Sequence, residues 1–290
     1  MPSPEQPGSP VNDKDIRRGE GPFSKLRWSL IGLYAFVIVF LQISKNPVGS
    51  AIGGSIVIFV IAGLHGRERY ALKNMAIFFL VTWAVSLFFE ALSVNTTLLF
   101  VHYHYTIELS LISLFGVPLI VIFGYFGTGY LSWMLSHVFT GQFSKKLEGK
   151  WIFVVPLIAA FILVMWDLGM DPIFSTVHPL WVWESPGPYF GVPILNFVGW
   201  FLIGFTFYQL FALYLSRYDQ ISPQKVKTLA SKPYWLEAAI VYGLIGFNII
   251  ITPIAIYNDI TVSMALVAVF TMIFVAIISL IAIINNNDLR

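Results

Sequence analysis

Three acidic side chains in this 290-residue chain stand at depths where charge is costly. Glu90 lies in FFEALS, about sixteen residues into an apolar run; at ~1.5 Å per helical residue that is the far third of a bilayer. Asp167 and Asp171 close another apolar run and, four residues apart, share one helix face. An ionisable group at such depth marks a functional site by default. Two neighbouring carboxyls in poor solvent cannot both ionise easily, which leaves a neutral acid beside a partner able to act as base. The chemistry open to such a set is general acid–base catalysis. Pro172 makes Asp171 the expected last helical residue, because the position before proline is pushed out of the α region. Two acids at that end of a helix oppose its dipole, so capping does not explain them.

The stretch they belong to, 167–200, holds three tryptophans and five prolines and no Lys or Arg. Trp181, Trp183, Tyr189 and Trp200 read either as an interfacial belt or as a pocket whose π faces stabilise a developing cation. Asn196 opens the next apolar run. His102, His104, His178 and Glu108 could in principle meet a divalent ion, but no metal is expected: membrane di-iron sites use far more histidines, and His65 and His137 lie on the other side. No serine sits in a nucleophile elbow, and there is no phosphate loop or dinucleotide fingerprint, so no cofactor is expected. Cysteine is absent, which removes disulfides and thiolate chemistry.

The elements that position these residues must lie in lipid. The chain is 57% hydrophobic and 11% charged, against about 25% charged for a soluble domain. Its mean hydropathy is +0.78. Eight apolar runs have the length a ~30 Å hydrocarbon core demands: roughly 27–44, 49–65, 74–95, 109–138, 151–170, 190–216, 235–257 and 261–284. The second is Gly-rich and suited to close packing; the fourth is overlong, as if part of it lay on the surface or tilted. The expected fold is therefore an all-α polytopic bundle of about eight spans.

Of seventeen basic residues only Lys45 falls outside the termini and the connectors that follow spans 2, 4 and 6. That asymmetry predicts both termini in the cytoplasm and the carboxylates near the opposite interface. Residues 1–24, rich in Pro, Gly, Ser and charge, read as a disordered cytoplasmic tail with no removable signal peptide, and 25–290 as one transmembrane domain. No nucleic-acid partner is expected.

The stretch WVWESPGPYFGVPILNFVGW (181–200) resembles the signature of the membrane carotenoid-biosynthesis proteins whose characterised members are carotenoid 1,2-hydratases, bisanhydrobacterioruberin hydratase among them. Asp167, Asp171 and Pro172 match that family's Asp…Asp-Pro helix end. Upstream the family has an intramembrane Glu and a TG-x-x-FG-x-Y-x-Y segment. Here Glu90 is followed by TTLLFVHYHYT, which keeps Phe100, Tyr103 and Tyr105 but carries Thr97 and Val101 for the two glycines. The chain is thus similar to a divergent member, with loop backbone angles that glycine would have relaxed.

The resemblance implies hydration of a terminal C=C of a linear carotenoid to a tertiary alcohol. Asp167 or Asp171 would give the proton, and Glu90 would serve as base or cation partner. Tyr103, Tyr105, Trp181, Trp183, Tyr189, Asn196 and Trp200 would line the pocket. The substrate would be a lipophilic isoprenoid within the bilayer. A membrane terpenoid cyclase would use the same protonation with an internal nucleophile. A carrier would instead need polar groups at the midplane, and these acids lie to one side.

Overall fold

A computed structural model of the protein describes residues 23–96, 102–106, 112–143, 145–221 and 223–290. Seven of its helices are long and apolar enough to cross a membrane. They are α1 (Ser24–Ile43), α2 (Pro47–Asn95), α3 (Leu119–Thr140), α4 (Trp151–Pro172), α5 (Ile194–Tyr218), α7 (Lys232–Ala255) and the run from α8 (Asp259–Ala268) to α9 (Phe274–Ile284). A short α6 (Pro223–Leu229) links α5 to α7.

The eight expected runs become seven helices because α2 carries two of them. At 49 residues it would be about 74 Å long if straight, more than twice a hydrocarbon core. It is broken at Ala71, whose φ of 61° and ψ of 168° lie outside the helical region. The chain folds back there: the rings of Phe59 and Phe79 are 5.9 Å apart, although twenty residues separate them. A Cβ on Gly66 would stand 2.3 Å from Met75 Sδ, so glycine lets the two legs meet. Each leg is long enough for one span, so the described residues supply eight segments of spanning length.

Helix α3 is the axis of the bundle, 78% buried in its apolar stretch where the other spans are 28–44% buried. Its small residues let neighbours approach. A Cβ on Gly127 would fall 2.9 Å from Ile58 Cγ2, and the Gly129 carbonyl accepts the Tyr208 hydroxyl at 2.8 Å. Trp133, wholly buried, donates its indole N–H to Tyr70 OH at 2.8 Å.

One end of the bundle is tied by buried ion pairs. Arg27 on α1 meets Glu68 beside the α2 reversal and Glu237 on α7, and Arg69 meets Asp219 at 2.7 Å. Lys232 N–H donates to the Arg290 carbonyl at 2.8 Å, so both ends of the described chain lie on this face.

One expectation fails here: α4 does not end at Asp171. It runs through Pro172, at a helical φ of −58°, into a π-helical turn at Ile173–Val177. Proline removes one donor and crowds the carbonyl four residues back; the wider π turn relieves the crowding. The overlong run 109–138 is divided, with a surface segment ahead of its span. Its helix starts at Leu119, and residues 112–118 form a hairpin of β2 (Ser113–Leu114) and β3 (Val117–Pro118) turned by Phe115 and Gly116 at positive φ. Residues 107–111 lie outside the described residues, as do Glu108, Thr97, Phe100 and Val101.

At the end opposite the ion pairs, two connectors that the sequence leaves irregular pair as strands. β1 (Tyr103–Tyr105) runs antiparallel to β4 (Trp181–Trp183), with Tyr103 opposite Trp183 and Tyr105 opposite Trp181.

Candidate active site

Side chains alternate across a strand, so the Y-x-Y and W-x-W spacings each put two aromatics on one face. The register sets all four together, with ring centroids 4.8 Å apart for Tyr103 and Trp183 and 6.4 Å for Tyr105 and Trp181. The intervening His104 and Val182 face outward, where His104 Nδ1 meets Glu184 at 2.8 Å in an exposed pair.

The second leg of α2 lifts Glu90, 6% exposed, to the inner face of this ladder. Tyr103 and Tyr105 hydroxyls donate to its Oε2, the latter at 3.2 Å, and Tyr125 on α3 donates to Oε1. Three phenols thus surround one carboxylate, a full set of donors for an anion out of water. Burial, and then Glu90 beside it, hold the Tyr105 phenol well above its ordinary 10, so it remains a donor across the working pH range.

On α4, Asp167 and Asp171 are each 1% exposed. Asn196, in the first turn of α5, donates both amide hydrogens, one to each Oδ2, at 3.0 Å and 2.6 Å. Trp181 Nε1 donates to Asp171 Oδ1 at 2.8 Å. Both oxygens of Asp171 therefore have donors, whereas Asp167 Oδ1 is buried with no partner among the described residues.

Two cavities meet here. A small chamber of about 20 Å³ is lined by Glu90, Ser93, Tyr103, Tyr125, Asn196 and Trp200, among others. A larger, mostly apolar cleft of about 130 Å³ lies between α1, the first leg of α2, α3, α4 and α7, and reaches Trp166, Trp181 and Trp200. Trp200 lines both, stacked at 4.2 Å on Tyr125 and edge-on to Trp166 at 5.4 Å. Asn196 is the wall shared by the chamber and the aspartate pair; neither aspartate faces either cavity directly.

Tyr189 sits apart from the carboxylates. Pro172 leaves the Leu168 carbonyl without its helical donor. Tyr189 OH supplies that hydrogen bond at 3.0 Å. Burial, and then Asp167, raise the Tyr189 phenol to about 12. The loop that presents it is tight: Phe190 and Gly191 have φ of 50° and 91°, and a Cβ on Gly187 would fall 2.3 Å from the Pro193 backbone.

All three expected acids, Tyr103, Tyr105, Trp181, Trp183, Asn196 and Trp200 thus come into one neighbourhood, with Tyr189 bracing its frame. Tyr125 is an addition, since its place among glycines and aromatics on α3 reads as packing alone. Among the described residues no three His, Asp or Glu are grouped to hold a metal ion. His102 Nδ1 instead meets the Ser93 carbonyl at 3.1 Å.

A family model described as carotenoid biosynthesis protein matches residues 47–282. No curated protein and no solved structure matches the chain.

Proposed function

The chain belongs to the carotenoid biosynthesis protein family, an integral membrane protein whose family points to a biosynthetic role on carotenoids, and from that premise we propose that it hydrates a terminal C=C of a linear carotenoid to a tertiary alcohol. The observation that carries this reading is the inequality of the three carboxyls. Glu90 and Asp171 have donors on every oxygen, while Asp167 Oδ1 has none. A bare, buried carboxylate oxygen is costly, and a proton placed there has no competing acceptor. Asp167 is accordingly the acid, with Asp171 and Glu90 as carboxylates.

The polyene lies in the apolar cleft, and its end group passes Trp200 toward the chamber. Asn196 walls the aspartate pair from the chamber, so the step needs that side chain to swing aside; the Asp167 Oδ1 proton then bonds to the CH carbon of the terminal alkene using its π electrons, which leaves a tertiary cation. The faces of Trp200 and Tyr125 and the Glu90 charge shelter that cation. The chamber has room for about one water, which adds through oxygen, and its proton passes to Glu90. Return of that proton from Glu90 to Asp167 through the chamber water restores the enzyme. Net consumption is one alkene and one water.

The test is co-expression in a lycopene-producing host with chromatography and mass measurement of the pigments. A gain of one water is expected. An isomer of unchanged mass would replace hydration by cyclisation, and unaltered pigment would overturn a reaction on this substrate.

A further inference from the structure

The cleft has a second polar wall, away from the carboxylates. Gln42, near the end of α1, lines it and is 1% exposed. Its amide nitrogen donates to Asn248 Oδ1 at 2.9 Å and to Thr252 Oγ1 at 3.2 Å. Asn248 Oδ1 also accepts Ser50 Oγ at 3.0 Å, and Thr252 Oγ1 donates to the Asn248 carbonyl at 2.9 Å. Ser50, Asn248 and Thr252 line the same cleft. Each of these donors is thereby spent within the cluster. Gln42 Oε1 is left as a buried acceptor with no partner among the described residues.

A buried acceptor left unmet destabilises the fold, so the cluster is arranged for a donor that is not part of it. Had the only task been to join α1 to α7, apolar residues of the same shape would have served without that cost. The surrounding wall is hydrocarbon, so the matching ligand is a lipid-soluble molecule with a single hydroxyl. We infer that Gln42, supported by Ser50, Asn248 and Thr252, is a hydroxyl-recognition subsite for an isoprenoid that carries an alcohol. The inference rests on the reading of the cleft as the polyene site, but not on the hydration step.

The experiment compares lycopene with its 1-hydroxy derivative as probes of the full-length protein in detergent, read by quenching of tryptophan fluorescence. One hydrogen bond predicts that the alcohol binds about fivefold to tenfold more tightly. In Gln42→Leu that preference should fall below about twofold, with hydrocarbon affinity retained. Equal affinities in the unaltered protein would overturn the inference, as would a preference that survives in folded Gln42→Leu. Should that variant not fold, Ser50→Ala leaves the acceptor in place and loosens its support, and the comparison in the unaltered protein decides alone. Hydration is assayed on the same preparations. Preference without product leaves the subsite standing and removes the catalytic reading; product without preference does the reverse.

Discussion

The hydroxyl of Tyr189 lies 3.0 Å from the carbonyl oxygen of Leu168, the group that Pro172 deprives of its helical partner. The brace falls between Asp167 and Asp171, on the turn that sets their spacing. Tyr189→Phe keeps the ring and removes the bond, and an unmet buried carbonyl costs about 1–3 kcal/mol. Turnover should fall about tenfold with KM little changed, since the acids shift and the cleft does not. Steady-state kinetics on a membrane-inserted variant check this; a pure KM effect would return Tyr189 to substrate contact.

Asp167→Asn and Glu90→Gln should each lower product formation by about 10²–10⁴-fold, the usual contribution of a positioned acid or base. Both are near-isosteric, so membrane insertion and yield should not change. Pigment analysis beside a blot of membrane fractions separates the two. Full turnover by both variants would remove the acid–base assignment.

Asn196→Leu deprives both aspartates of their shared donor. Activity should fall as far as in Asp167→Asn, and adding Asp167→Asn to it should cost little more, because the pair acts as a unit. A double-mutant cycle on product yield measures the coupling.

Arg27→Ala leaves Glu68 and Glu237 buried without their cation, a loss of about 3–5 kcal/mol for a buried pair. The thermal midpoint in detergent should drop. Arg27→Leu combined with Glu237→Leu and Glu68→Leu should recover much of it, since apolar replacements of a buried ion cluster are often neutral.

Alkaline pH should loosen the fold through Tyr189. Its phenol is raised from 10.0 to about 12, so the folded state holds the proton more tightly than the unfolded chain. The associated stability is fully present below pH 10 and is lost as pH rises through about 12. Unfolding followed across that window should show a shallower decline in Tyr189→Phe.

Much of this arrangement is legible in the chain itself. Glu90, Asp167 and Asp171 stand out because lipid makes charge costly, so composition and depth suffice to mark them. The eight segments of spanning length follow from run length, yet the reversal at Ala71 does not, because an alanine at positive φ carries no local signature. Arg27 and Arg69 read as markers of topology, whereas their partners Glu237 and Asp219 lie 210 and 150 residues away. The β1–β4 ladder leaves a faint trace, since Y-x-Y and W-x-W both repeat every two residues. Three-residue strands in separate connectors are too short for that period to speak alone. The continuation of α4 past Pro172 depends on Tyr189, 21 residues from the carbonyl it satisfies.

The ladder also bears on the route a substrate takes in the proposed reaction. Main-chain pairing of Tyr103–Tyr105 with Trp181–Trp183 roofs Glu90 from the aqueous side, while the broad cleft lies among the helices below. On the proposed reading, a polyene arrives and leaves sideways, through the leaflet. The enzyme's encounter rate is then set by diffusion in two dimensions and by pigment density in the membrane.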